Sequence, residues 1–69
     1  MGNIKKIRDQ ISENGLKVTP QRIAIFKALL ELDDHPTAEM VKQYVSKENP
    51  NISLGTVYKT LEVFVEKNL

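Results

Sequence analysis

Apolar residues along the chain recur every three or four positions, which is the period of an α-helix that buries one face. Four segments show this repeat, and they predict helices over residues 3–14, 20–32, 37–48 and 54–67. The sequence therefore predicts an all-α fold of four helices, in a single domain that covers residues 1–69.

Residues suited to helix ends separate the four segments. Asn3 is a candidate cap for the first helix, and Gly15 is expected to end it, because glycine readily adopts the left-handed conformation of many helix C-caps. Three hydroxyl residues stand where the other helices should begin: Thr19, Thr37 and Ser53. Each side-chain oxygen can accept an otherwise unpaired backbone N–H of the first turn. Pro20 and Pro50 agree with a helix start and a helix end respectively.

The inward sides of the four helices are expected to form the core. They carry Ile4, Ile7 and Ile11 in the first helix, Ile23, Ala24, Ile25, Phe26, Ala28, Leu29 and Leu30 in the second, Met40, Val41, Tyr44 and Val45 in the third, and Leu54, Val57, Leu61, Phe64 and Val65 in the fourth. The second helix is the most apolar, and we expect it to be the central one.

The fourth helix has an outer side that fits DNA recognition. Opposite its apolar stripe the wheel places Gly55, Thr56, Lys59, Thr60 and Val63. Small residues allow close approach, hydroxyls can contact phosphates or bases, and a cation can pair with phosphate or a guanine edge. Many solvated helices also carry Thr and Lys, and Val63 could contact a thymine methyl or a neighbouring chain. The short polar turn before this helix predicts a helix-turn-helix.

Composition excludes several classes of protein. The chain has 69 residues, of which 41% are hydrophobic and 28% charged, and it contains no cysteine. A disulfide framework and a thiolate metal site are therefore excluded. No apolar run approaches the length of a membrane span, and charges interrupt the N-terminal segment where a signal peptide would be apolar. One histidine, no nucleophile–base pair and no glycine-rich phosphate loop argue against an enzyme.

Charge is unevenly distributed along the chain. Residues 1–30 hold six basic and two acidic side chains, residues 31–50 hold two basic and five acidic, and residues 51–69 balance. The resulting net charges are +4, −3 and 0, for a total of +1. A basic first half can mark a side that faces nucleic acid, and it equally fits a solvated first helix.

Three stretches, in this order and spacing, resemble the ferric uptake regulator family of metal- and peroxide-responsive repressors. They are GLKVTPQR at 15–22, HPTAE at 35–39 and SLGTVYKTL at 53–61. The resemblance covers the N-terminal DNA-binding half of such a regulator. It implies a winged-helix domain truncated before its β wing, with a C-terminal dimerisation domain and most metal ligands beyond Leu69. We therefore expect the chain to be a fragment.

The resemblance also implies roles for individual residues. Tyr58 and Lys59 match positions of the recognition helix that meet bases in the major groove, Lys17 matches a residue that reaches toward the minor groove, and Arg22 matches one that grips phosphate. The family often has Arg or Asn where this chain has Lys59, which pairs less directionally with guanine. The full set of expected DNA-binding residues is Lys17, Arg22, Ser53, Gly55, Thr56, Tyr58, Lys59 and Thr60.

Each of these roles has a structural alternative. Tyr58 lies close to Leu54 on the helical wheel, so its ring could pack half into the core with the hydroxyl in water. Lys17 and Lys59 could be ordinary solvated lysines. A cation at Arg22 opposes the dipole of the second helix, which favours a partner for the guanidinium, either a phosphate or a carboxylate of the chain itself.

His35 matches the metal ligand that the DNA-binding half contributes in this family. By itself it is an ordinary loop histidine, and Asp33 and Asp34 beside it are expected to solvate the loop. Iron, manganese or zinc would need further ligands from beyond Leu69, so we expect no cofactor in this chain alone.

Together with these patterns, the resemblance implies sequence-specific binding of double-stranded DNA, by the N-terminal domain of a metal- or peroxide-responsive repressor, with residues 54–67 in the major groove. It also implies that the intact protein is a cytoplasmic homodimer on a palindromic operator, without membrane contact. The alternative is a winged-helix module that binds another protein and does not bind DNA.

Overall fold

The computed structural model describes residues 3–32, 36–67 and 69, with Asn3 described through its backbone only. It contains four helices: α1 (Asn3–Glu13), α2 (Pro20–Glu31), α3 (Ala38–Ser46) and α4 (Leu54–Glu66). No strand occurs among the described residues, so the predicted all-α class is confirmed. Every helix end lies within two residues of its predicted position.

The predicted hydroxyl caps all form. The side-chain oxygen of Thr19 accepts the N–H of Arg22, and that of Thr37 accepts the N–H of Met40, both at 3.1 Å. Ser53 does the same for α4. All three cap residues have extended backbones, which turn the chain into the helix and leave the hydroxyl over the first turn.

Gly15 ends α1 with a paired hydrogen-bond motif. Its φ is +78°, and its N–H donates to the Ser12 carbonyl at 3.0 Å, while the N–H of Leu16 donates to the Ile11 carbonyl at 3.1 Å. This is the Schellman arrangement, in which Leu16 packs back against the core. The chain leaves α1 at this point and enters the connection to α2.

The second helix is central, as its apolar composition predicts. It packs against α1, α3 and α4, and α3 also packs against α4. The rings of Phe26 and Phe64 meet edge to face, with centroids 5.4 Å apart, and tie α2 to α4. The buried apolar residues are Ile7, Ile11, Ile25, Phe26, Ala28, Ala38, Val41, Val45, Ile52, Val57 and Phe64.

Four residues assigned to the core are exposed, and those assignments are wrong. The exposed fractions are 54% for Ile4, 62% for Leu30, 46% for Met40 and 74% for Val65. Ile4 lies in the first turn of α1, whose helical neighbour is α2 alone, and the other three lie at the borders of buried sides. Periodicity locates the centre of an apolar side better than its edges, so border residues are the ones misassigned.

Candidate nucleic-acid interface

The first turn of α4 carries two linked hydroxyls. Ser53 Oγ accepts the backbone N–H of Thr56 at 3.1 Å and lies 2.9 Å from Thr56 Oγ1. Ser53 is exposed and Thr56 half-buried. One hydroxyl donates to the other, so the pair retains one hydroxyl proton that is free for another acceptor.

The inner side of α4 consists of Val57, Thr60 and Phe64. Thr60 was predicted on the outer side, and this placement is wrong, because only 8% of its surface is exposed. Its hydroxyl donates to the Thr56 carbonyl at 2.9 Å, so its polar group is paired within the helix. The buried side of α4 is thus turned toward Thr60 and away from Val65, and Val63 is half-buried instead of exposed.

The outer side of α4 presents Gly55, Tyr58 and Lys59 to solvent. Tyr58 is 49% exposed, so one part of its ring lies against the protein and the other is accessible. This position is compatible with both expectations for Tyr58, a ring packed half into the core with its hydroxyl in water and a contact with DNA bases. Glu62, one turn after Lys59, is exposed on the same side. We call this accessible surface the α4 outer face (Gly55, Tyr58, Lys59 and Glu62).

Gly55 has no role in packing within the described chain. A methyl group built at its Cα meets only Ser53 Oγ, at 3.9 Å, which is an ordinary contact. Its backbone is helical, with none of the positive φ that requires glycine at Gly15. Glycine is a poor helix former, so the fold itself gives no reason for it at this position.

A compact turn joins α3 to α4 and sets the position of the first turn of α4. The N–H of Asn49 donates to the Val45 carbonyl at 2.8 Å, and the N–H of Ile52 donates to the Asn49 carbonyl at 3.1 Å. Ile52 is buried, with 4% exposed, and anchors the residue immediately before Ser53. Helical periodicity did not identify Ile52 as a core residue, although a single apolar side chain within a polar turn indicates such an anchor.

The connection between α1 and α2 brings Lys17 and Arg22 together. Arg22 Nη1 donates to the backbone carbonyl of Lys17 at 2.9 Å. The partner of the guanidinium is therefore a main-chain oxygen, which neither of the predicted alternatives, phosphate or carboxylate, included. The Lys17 side chain is exposed, and Arg22 is half-buried.

The predicted metal ligand His35 lies outside the described residues, as do Asp33 and Asp34. Across residues 3–32, 36–67 and 69, no group of three or more His, Cys, Asp or Glu side chains is placed to hold a metal ion. In the same part of the chain, no helix is both long and apolar enough to cross a bilayer.

Comparison with known proteins identifies a family and several relatives. Residues 13–69 match the model of the Ferric uptake regulator family. The chain is 46% identical over 54 residues to the peroxide-responsive repressor PerR of Staphylococcus saprophyticus, a match that covers 78% of this chain and 36% of that protein. It is 43% identical over 54 residues to the protein of the same name from Staphylococcus aureus, with the same coverage.

A third relative matches over more of the chain. The peroxide operon regulator of Bacillus subtilis is 38% identical over 66 residues, which are 96% of this chain and 46% of that protein. The chain thus spans less than half the length of these relatives, whose names describe repressors and regulators and no enzyme. The family match covers most of the chain and includes all of α2, α3 and α4. This chain belongs to the ferric uptake regulator family.

Proposed function

We propose that the chain binds double-stranded DNA with sequence specificity, as the N-terminal domain of a Fur-like metal- or peroxide-responsive transcriptional repressor. The observation that best supports this proposal is that α4 has one buried side and one accessible side. Val57 and Phe64 hold one side in the core, and Gly55, Tyr58 and Lys59 occupy the accessible side. A helix anchored in this way can enter a major groove without rearranging the domain.

The proposed contacts follow from what each accessible group can offer. Lys59 would donate to a phosphate or to O6 and N7 of guanine, and Tyr58 would stack its ring or donate its hydroxyl at a base edge. Gly55 would let the backbone approach the duplex closely, and the linked hydroxyls of Ser53 and Thr56 would contact the sugar-phosphate backbone. Thr60 no longer belongs to the proposed contacts, because its hydroxyl is buried and paired.

Electrostatic attraction would supply much of the affinity. The first 30 residues carry a net charge of +4, and Lys5, Lys6 and Lys17 within them are exposed. Each phosphate that such a cation neutralises releases counterions and adds about 0.9 to the magnitude of the slope of log K against log salt. Binding is therefore expected to depend strongly on salt. Without a dimerisation domain to place two such domains on the operator, binding by this chain alone is also expected to be weak.

In the intact protein, we propose a cytoplasmic homodimer that places two such domains on a palindromic operator. The names of the relatives, peroxide-responsive repressor and peroxide operon regulator, support a repressor that responds to a chemical signal. Iron, manganese or zinc would bind with His35 as one ligand, and the remaining ligands would come from outside this chain. The metal would then set the spacing of the two DNA-binding domains.

Titration of a labelled duplex, selected by the chain from a random-sequence library, tests the proposal. Affinity should fall steeply with salt, and Lys59→Ala and Tyr58→Ala should each weaken binding by about 1–3 kcal/mol. Lys47→Ala is the matched control, because Lys47 is an exposed lysine that directly follows α3, and its Nζ lies 5.8 Å from the Tyr44 ring centroid. Salt-independent binding, or equal affinities for the control and the two α4 variants, would overturn the proposal.

A protein partner is the competing function, and one observation favours it. Val65 is 74% exposed and, with Tyr58 and Leu61, forms an apolar strip along α4. Val65→Ser separates the two functions, because this position lies two turns beyond the proposed groove contacts. DNA affinity should remain unchanged in Val65→Ser if α4 enters the groove through its first two turns.

A further inference from the structure

The guanidinium of Arg22 already has a hydrogen-bond partner within the chain. Arg22 lies in the first turn of α2, and its backbone N–H donates to the Thr19 hydroxyl at 3.1 Å. Its side chain reaches in the same direction, and Nη1 donates to the Lys17 carbonyl at 2.9 Å. One residue therefore holds the connection between α1 and α2 at two points.

The connection that Arg22 holds has an alternating arrangement. Leu16 and Val18 pack against the core, and Lys17 between them is exposed. Burial of the two apolar neighbours leaves the Lys17 side chain on the outside of the connection. The carbonyl of Lys17 has no neighbouring strand to pair with among the described residues, and the guanidinium provides its hydrogen bond.

We propose that Arg22 is a positioning residue for Lys17. By holding the Lys17 carbonyl, the guanidinium fixes the backbone from which the Lys17 side chain reaches the duplex. This inference rests on the proposed function, in which Lys17 contacts DNA. It replaces the expectation that Arg22 itself grips phosphate as its main contribution.

The two possible roles of Arg22, positioning Lys17 and contacting a phosphate, predict different effects of substitution on DNA affinity and on its salt dependence. A residue that acts through Lys17 loses its effect when the Lys17 side chain is removed, so the two substitutions are not additive. A residue that contacts its own phosphate acts independently, and its removal lowers the salt slope by about 0.9. The positive charge matters to the second role, whereas the first needs only an N–H donor at the right place.

Replacement of Arg22 by citrulline separates the donor from the charge. Citrulline is the neutral isostere of arginine, with a urea group that keeps an N–H directed at the Lys17 carbonyl. A chain of 69 residues is short enough for total chemical synthesis with this residue at position 22. The comparison set is the natural chain, Arg22→citrulline, Arg22→Ala, Lys17→Ala and the double variant Arg22→Ala with Lys17→Ala, titrated against the selected duplex at several salt concentrations.

The expected pattern is specific to positioning. Arg22→Ala should weaken binding about fivefold, the worth of one modest hydrogen bond, and Arg22→citrulline should bind within about twofold of the natural chain. In the Lys17→Ala background the further loss from Arg22→Ala should be under about twofold, the tolerance for additivity. A role in stability alone would give a loss that persists in that background.

A second measurement needs no DNA and reports on the connection between α1 and α2 itself. Backbone amide exchange at Leu16, whose N–H donates to the Ile11 carbonyl at 3.1 Å, should accelerate in Arg22→Ala and stay at the natural rate in Arg22→citrulline. Circular dichroism of each variant confirms that the helices are retained. Unchanged exchange in Arg22→Ala would show that the hydrogen bond does not order the connection, and the proposal would be rejected.

A second pattern would also overturn the positioning role of Arg22. In that pattern the affinity losses of Arg22→Ala and Lys17→Ala are independent, Arg22→citrulline binds as weakly as Arg22→Ala, and the salt slope of log K falls by about 0.9. Direct phosphate contact would then be the role of Arg22. Lys59→Ala distinguishes this result from failure of the proposed function. If Lys59→Ala weakens binding while Arg22 and Lys17 act independently, DNA recognition by α4 stands and only the positioning role fails.

Discussion

Replacement of Gly55 by alanine should make the domain more stable and the DNA complex weaker. The added methyl group meets only Ser53 Oγ, at 3.9 Å, and the local backbone is helical. The substitution therefore causes no clash within the described chain, and it reduces the conformational entropy of the unfolded state. A gain in stability together with a loss of binding would show that glycine is retained for contact with a partner.

The magnitude of the stability change follows from helix propensity. Alanine is favoured over glycine in a helix by about 0.5–1 kcal/mol, and the first turn is at the lower end because backbone order there is incomplete. In a domain of this size, 1 kcal/mol corresponds to about 4–8 °C in Tm. Thermal and urea unfolding, followed by circular dichroism, should therefore show an increase in Tm of a few degrees.

Gly15→Ala is the matched control within the same chain. The space around Gly15 is also open, but its φ of +78° is a conformation that alanine adopts at a cost of about 1–2 kcal/mol. The same chemical change should therefore destabilise the domain at position 15 and stabilise it at position 55. DNA affinity of the folded protein should be retained in Gly15→Ala and reduced at least severalfold in Gly55→Ala.

Two results would refute the reasoning. If Gly55→Ala raises the Tm and binds DNA as well as the natural chain does, close approach at this position is not needed. If Gly55→Ala destabilises the domain, the methyl group meets an obstacle that the structure does not contain. Fluorescence anisotropy with labelled duplex, measured beside unfolding on the same samples, provides both values.

Three further substitutions test the core, the caps and the corrected face of α4. Thr60→Val should leave DNA affinity unchanged and alter stability by less than about 1 kcal/mol, because it removes only a buried hydroxyl that donates to the Thr56 carbonyl; weaker binding would restore Thr60 as a contact. Phe64→Ala should cost about 3–5 kcal/mol by removing the ring that packs against Phe26, enough to unfold much of the population at 37 °C. Thr19→Ala should cost about 1 kcal/mol of unfolding free energy through loss of the α2 cap, and an unchanged midpoint in urea would contradict that role.

The sequence predicts the helices of this domain well because their ends are chemically marked. Thr19, Thr37 and Ser53 each accept the N–H three residues later, and Gly15 has the positive φ expected of a helix C-cap. These are local interactions, so the residues themselves determine them. The central position of α2 also follows from its composition, since a helix with apolar residues on several sides has several neighbours.

The exact rotation of α4 could not be predicted from periodicity. Val65 and Thr60 flank the same stripe on opposite borders, and hydrophobicity alone assigned the valine to the core and the threonine to solvent. The domain buries Thr60 because its hydroxyl pairs with the Thr56 carbonyl one turn earlier, which removes the cost of burying a polar group. An apolar residue at a border can remain exposed at little cost.

The hydrogen bond from Arg22 to the Lys17 carbonyl also could not be predicted from the sequence. Every residue carries a carbonyl oxygen, so residue type gives no indication of which backbone acceptor an arginine will reach. Charge and the resemblance to the family directed attention to phosphate, whereas the structure shows a main-chain partner at 2.9 Å. The exposed residues of the α4 outer face were predicted correctly in position at Gly55 and Lys59. Their contacts with DNA stay a prediction.

Photo-crosslinking from the α4 outer face tests the central claim most directly. The chain has no cysteine, so Glu62→Cys and Lys47→Cys each introduce a unique thiol for a benzophenone label, on α4 and in the control region after α3. Glu62 is exposed on the same side as Lys59 but is not among the proposed contacts, so its replacement should preserve binding. With the selected duplex, we expect crosslinks to DNA from position 62 and none from position 47. Crosslinks from position 47 without any from position 62 would contradict insertion of α4 into the groove.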